Sequence, residues 1–117
     1  MVNRFPSRMF RGAAIYGVPV LAPLYFAPLP VRSPEIMLGF VGVALVFQWV
    51  FWVIGGDPVR YRALMLPAVF EKLVFGVPAL VVAWLGRTAP LVAVFAAIDL
   101  ALAIGFWRAR MLTPTKA

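Results

Sequence analysis

Glu71 and Lys72 interrupt one apolar run, Asp99 interrupts another, and Gln48 and Tyr16 lie within two more. An ionised side chain near a bilayer centre costs roughly 2.5–3.5 kcal/mol on insertion scales, so such residues face a bundle interior and keep partners. Two acids brought together in a dry site cannot both stay ionised cheaply. Glu71 and Asp99 would titrate as a unit and share a proton, steadied by the Tyr16 phenol or the Gln48 carboxamide. That chemistry suits proton handling or the gripping of a ligand's polar end. The bland alternative is a layer that only locks helix packing, through interhelical hydrogen bonds of about 0.6 kcal/mol each.

Lys72 follows Glu71 directly, about 100° around a helix, so the two are expected to point different ways. Its long stem can snorkel toward the nearer interface. Snorkelling is the expected fate, and an interior pair with Asp99 or Glu71 is the alternative.

Other chemistries lack their residues. The 117-residue chain has no His and no Cys, which removes a thiol or histidine catalyst, a disulfide scaffold and a Cys/His zinc site. No glycine-rich phosphate loop, HExxH, GxSxG or EF-hand pattern occurs, and the four acids are too scattered for a hard-metal cage. No metal and no cofactor is expected. The net charge of +7 raises nucleic acid as a partner, but the cations sit at the ends of apolar runs, as in membrane-flanking segments. No nucleic-acid partner is expected, and the lipid bilayer is the expected surrounding.

The elements that must hold these residues follow from hydropathy. Hydrophobic residues make up 64% and charged residues 13%, too apolar for a small soluble domain to bury. Four apolar stretches stand out, at about 12–27, 36–54, 58–85 and 90–107. About 20 residues cross a hydrocarbon core, which suits the second and third best. The first has the basic start and apolar middle of a signal peptide, but Pro19, Pro23 and Pro28 crowd it and no clean cleavage motif follows. It is expected to stay as a helix, kinked by Pro19 and Pro23. The links are short: PLPVRSPE, GGDPVRYR and GRTA. Asp57 followed by Pro58 predicts the start of the third helix. Short links make successive helices antiparallel neighbours. The predicted fold is all-α, a polytopic membrane protein with an antiparallel up-down four-transmembrane-helix bundle, in one domain over 1–117.

Arg4, Arg8, Arg11, Arg60, Arg62, Arg108, Arg110 and Lys116 then fall on one side, and Arg32 and Arg87 on the other. This bias predicts a bacterial inner membrane protein with both termini cytoplasmic. Trp52, Trp84 and Trp107 fall at predicted helix ends, where aromatic belts sit. At 1.5 Å per residue, Asp99 and Glu71 lie roughly 12 and 13 Å inside the cytoplasmic boundary, and Gln48 and Tyr16 about 9 and 8 Å. Four alternating helices thus place all four in one polar layer.

Ala93, Ala97, Ala101 and Gly105 recur every four positions and predict a small-residue packing face on the fourth helix. Gly39 and Gly42, and Gly12 and Gly17, could serve likewise. Phe47, Trp49, Phe51, Phe70 and Phe75 could line an apolar pocket.

Size and span count invite comparison with small multidrug resistance exporters, but their essential acid lies in the first helix, where this chain has none. The stretch 39–76, with Gln48, Asp57-Pro58, Arg60-Tyr61-Arg62, Leu66-Pro67 and Glu71-Lys72, resembles the central segment of small uncharacterised bacterial inner-membrane proteins of the DoxX-like type. That resemblance covers about a third of the chain. It implies a four-helix membrane protein and brings no catalytic motif. A more distant architectural likeness, to the four-helix core of sterol-isomerase-type proteins, implies only a fold that binds lipid-like ligands. Three functions compete. The first is a non-enzymatic bundle that binds an apolar or amphipathic ligand, or a membrane protein partner, through the polar layer. The second is a membrane enzyme such as an isomerase, with Glu71 as acid and Asp99 as base, which would need a pocket reaching both. The third is a small proton-coupled transporter.

Overall fold

The computed structural model describes residues 3–26 and 33–115. Within them the chain is all-helical: α1 (Phe5–Tyr25), α2 (Pro34–Gly56), α3 (Met65–Trp84) and α4 (Pro90–Leu112), with a short 3-10 turn, Arg62–Leu64, before α3. Proline opens the first turn of α1, α2 and α4, where its missing N–H is no loss. Asn3 stands just before the N-cap Arg4, and its Oδ1 accepts from the Phe5 amide at 2.8 Å, satisfying one free donor of the first turn. Gly86, at φ +70°, closes α3: its amide donates to Ala83 O at 3.0 Å and that of Arg87 to Val82 O at 3.1 Å. This is a Schellman arrangement, whose left-handed backbone glycine supplies without strain.

Three boundaries differ from the sequence-based expectation. α1 starts seven residues earlier than position 12, taking Arg8 and Arg11 into the helix. α4 runs on past Trp107 to Leu112, with Arg108 and Arg110 inside it. α3 does not begin at Pro58. Asp57 instead closes a tight turn, its Oδ1 accepting from Arg60 N at 3.3 Å and its carbonyl from Tyr61 N at 3.1 Å. The α-helix starts only at Met65, from which Met65, Ala68, Val69 and Lys72 all turn inward. The link after Ala27, with Arg32, and Lys116 lie outside the described residues.

The helices form two antiparallel hairpins. Ser7 and Arg11 of α1 meet Gly55 of α2, and further along Gly17 meets Gln48. In the second hairpin, Arg62 Nε donates to Thr113 O at 2.9 Å, and Gly76 of α3 receives Leu100 of α4. The hairpins join through α1 and α4, where Phe10 stacks on Phe106 with centroids 4.2 Å apart and planes 8° apart. Phe51 closes this cluster against Phe106 at 4.9 Å, and Ile54, Met65, Ala68 and Ala109 complete a solvent-free core around the rings. The core occupies the end of the bundle where α1 starts and α4 finishes, which carries most of the described arginines. At the opposite end α2 and α3 stand apart, bridged by the Phe40 and Phe75 rings at 5.7 Å.

α2, the segment Arg62–Trp84 and α4 are each long and apolar enough to cross a membrane. α1 matches them in length, but its first two turns carry Arg8 and Arg11, and it is not one of the three. The outward surface is greasy, with Trp49, Val74, Ile104 and Trp84 largely exposed. In water such a surface would drive association, whereas in lipid it is ordinary.

The packing face of α4 departs from the alanine stripe. Ala96, Ala103, Phe106 and Ala109 are buried, while Ala97 and Ala101 face outward. Asp99 explains the choice. Ala96, Ala103 and Phe106 share its face at helical spacing, whereas Ala97 and Ala101 lie about 200° away. Gly105 of the stripe takes a packing contact from Met9. Of the other glycines, Gly17 and Gly42 meet Gln48 and Tyr25, and Gly12 and Gly39 have open space beside them.

Candidate functional site

The separation of α2 from α3 leaves a cleft of about 870 Å³ that runs from the open end down to the aromatic core. Along α2 it is followed by Ile36, Gly39, Phe40, Val43, Ala44 and Gln48. The twelve steps from Ile36 to Gln48 rise about 18 Å, close to the roughly 15 Å of one hydrocarbon leaflet. α3 supplies Val74, Phe75, Pro78 and Val82, and α4 supplies Val92 and Phe95, so the walls are apolar.

Tyr16, Gln48, Glu71, Lys72 and Asp99 all border this one cavity. Each comes from the level at which its helix passes over the Phe10–Phe51–Phe106 cluster. Lys72 Nζ stands 5.2 Å from the Phe51 ring centroid, so the charged groups rest on the roof of the core. The helix rise counted from the sequence concerned four of them, Tyr16, Gln48, Glu71 and Asp99; Lys72 joins them at the same cavity.

Their arrangement differs from the expected acid pair. Lys72 does not snorkel. It is 4% exposed, and its Nζ lies 3.4 Å from Asp99 Oδ1, to which it donates, and 3.7 Å from Glu71 Oε2. The adjacent Glu71 and Lys72 reach the same spot in spite of their 100° offset because both side chains are long enough to bend toward the α3–α4 seam. A cation between two carboxylates supplies the counter-charge that a shared proton was expected to supply. The carboxylates themselves are only partly buried, at 17% side-chain exposure each, and the fully buried polar residues beside the cleft are Lys72 and Gln48.

Gln48 is held by its own helix, Nε2 donating to Ala44 O at 2.8 Å. Its carboxamide occupies the place a β-carbon on Gly17 would fill, so glycine at that position is what lets α1 and α2 close around it. Gln48 Oε1 and Glu71 Oε2 have no hydrogen-bond partner.

Of the aromatic residues expected at a pocket, Phe75 lines the cleft. Phe51 belongs to the core, Phe70 faces outward, and Trp49 lines a separate shallow groove between α1 and α2. The walls formed by Phe40, Val43, Val74 and Phe95 were not singled out in the sequence. One signal was available: Phe40, Ala44 and Gln48 follow one another at intervals of four residues along one side of α2. Among the described residues no group of three or more His, Cys, Asp or Glu could hold a metal ion. Compared with protein-family models, curated proteins and solved structures, the chain matches none.

Proposed function

We propose that the chain is a bacterial inner-membrane protein of the DoxX-like kind, with both termini cytoplasmic, that binds an amphipathic small molecule non-enzymatically. The tail lies between α2 and α3, and the polar end rests on the Glu71–Lys72–Asp99 triad with Gln48 and Tyr16 beside it. The carrying observation is the cleft itself: about 870 Å³, apolar along its length and charged only at its floor. Ligand sites commonly enclose about 300–1,000 Å³ with apolar walls and few polar groups. The cation bias supports the orientation, with Arg4, Arg8, Arg11, Arg60, Arg62, Arg108 and Arg110 at the packed end and Arg87 at the open end. The cleft then opens toward the outer leaflet and to lipid between α2 and α3. An acid–base division between Glu71 and Asp99 is disfavoured, since both carboxylates lean on the same lysine.

The test is native mass spectrometry of protein released gently from its own membrane, comparing the wild type with Gly39→Trp. Gly39 borders the cleft with nothing within 4 Å of a built β-carbon, so an indole there fills the cleft without touching the core. Expected is a discrete co-purifying amphiphile on the wild type, lost in Gly39→Trp at unchanged melting temperature. Only bulk lipid on both proteins, in equal amounts, would dismiss the reading.

A further inference from the structure

Resting on the ligand-binding reading above, we propose that the bound molecule carries an ammonium head, so that the cleft takes an apolar-tailed amine. The order in which a visiting head meets the floor decides this. The Glu71 and Asp99 side chains each keep 17% of their surface exposed, and that of Lys72 keeps 5%. The lysine ammonium stands behind its carboxylates, against the Phe51 ring, and is engaged with Asp99 Oδ1 and Glu71. The buried amide of Gln48 is engaged as well, with Ala44 O. A head descending the cleft therefore meets the carboxylate side chains, with Glu71 Oε2 still lacking a hydrogen-bond partner, before any free N–H group.

Formal charge points the same way. Lys72 is the one cation among the described residues of the cleft, against two carboxylates. The floor is thus one positive charge short, between apolar walls where an unbalanced charge is costly. A second ammonium would complete two cations against two anions and donate charge-assisted hydrogen bonds to the carboxylate oxygens, the unpartnered Glu71 Oε2 among them. A carboxylate or phosphate head would add a third anion to the same place. A hydroxyl can donate there but leaves the imbalance standing.

The experiment uses the full chain in zwitterionic nanodiscs and three probes of one tail length: dodecylamine, dodecanol and dodecanoate, titrated by calorimetry near neutral pH. Dodecylamine is expected to bind at least about tenfold more tightly than dodecanol, a difference of about 1.4 kcal/mol, with no measurable binding of dodecanoate. Asp99→Asn, and independently Glu71→Gln, should erase the preference for the amine over dodecanol, bringing the two affinities to within one decade of each other. Dodecanol matching the amine on the wild type, or dodecanoate binding best, overturns the ammonium assignment and leaves the cleft a ligand site. If no probe binds the wild type, or all bind Gly39→Trp equally well, the ligand-binding reading itself falls. The wild-type series decides the matter even where a variant folds poorly.

Discussion

Replacing Lys72 with methionine keeps the side chain to within one heavy atom of its length and removes its charge. The ammonium stands 3.4 Å from Asp99 and 3.7 Å from Glu71. At an effective dielectric constant near 20, each attraction is about 4.5–5 kcal/mol in gross Coulomb terms, most of it offset by the desolvation needed to bring the groups together. Removing one member of a buried ion pair costs about 3–5 kcal/mol, chiefly because the other is left without compensation. Here two carboxylates are left, so Lys72→Met is expected at the upper end of that range. Neutralising the whole layer removes the imbalance, and Lys72→Met/Glu71→Gln/Asp99→Asn should recover most of the loss. Unfolding by a harsh detergent in bicelles, followed by the fluorescence of the chain's four tryptophans, reads the difference. If Lys72→Met were within about 1 kcal/mol of the wild type, or the triple variant no more stable than the single one, the triad would not be the ion cluster described.

Gly17→Ala should destabilise the α1–α2 seam by about 1–3 kcal/mol, because its methyl group would meet the Gln48 carboxamide. Adding Gln48→Ala should restore most of that loss in the same unfolding assay, and no rescue would mean that the seam is closed by something else. Phe106→Ala opens the centre of the aromatic cluster and is expected to cost about 3–5 kcal/mol, visible as a lowered melting temperature in detergent. Because the chain has no cysteine, single cysteines at Asn3, Thr115 and Thr88 report sidedness cleanly. The first two should react with an impermeant maleimide only after cell lysis and the third in intact cells, and uniform labelling of all three would refute the orientation.

Much of this architecture is legible in the sequence because membrane helices announce themselves by composition. The positions of Tyr16, Gln48, Glu71 and Asp99 along alternating helices suffice to place them at one level, since rise per residue is nearly constant. Azimuth is harder to read. The alanine stripe 93–97–101 looked like a packing face by residue size, yet Asp99 on the other side of the helix had the stronger claim to the interior. Lys72, which takes the interior pair with Asp99 instead of snorkelling, shows a related limit: backbone spacing fixes where a side chain starts, and a four-carbon stem decides where it ends. The cleft was not legible at all. It depends on α2 and α3 failing to pack along their upper halves, and no local pattern reports the absence of a contact between two apolar faces. The α3 start at Met65 was missed because Asp-Pro begins a turn as readily as a helix.

The most direct measurement maps a bound amphiphile by photo-crosslinking in nanodiscs, with a diazirine placed either next to an amine head or at the tail end. With the head probe, adducts are expected around Tyr16, Val43 and Phe95, beside the charged floor; with the tail probe, around Leu24, Ile36 and Val82, at the open end. Gly39→Trp should abolish both sets. Adducts confined to outward-facing positions such as Val46 and Ile104, the same for both probes and unchanged in Gly39→Trp, would contradict a ligand seated in the cleft.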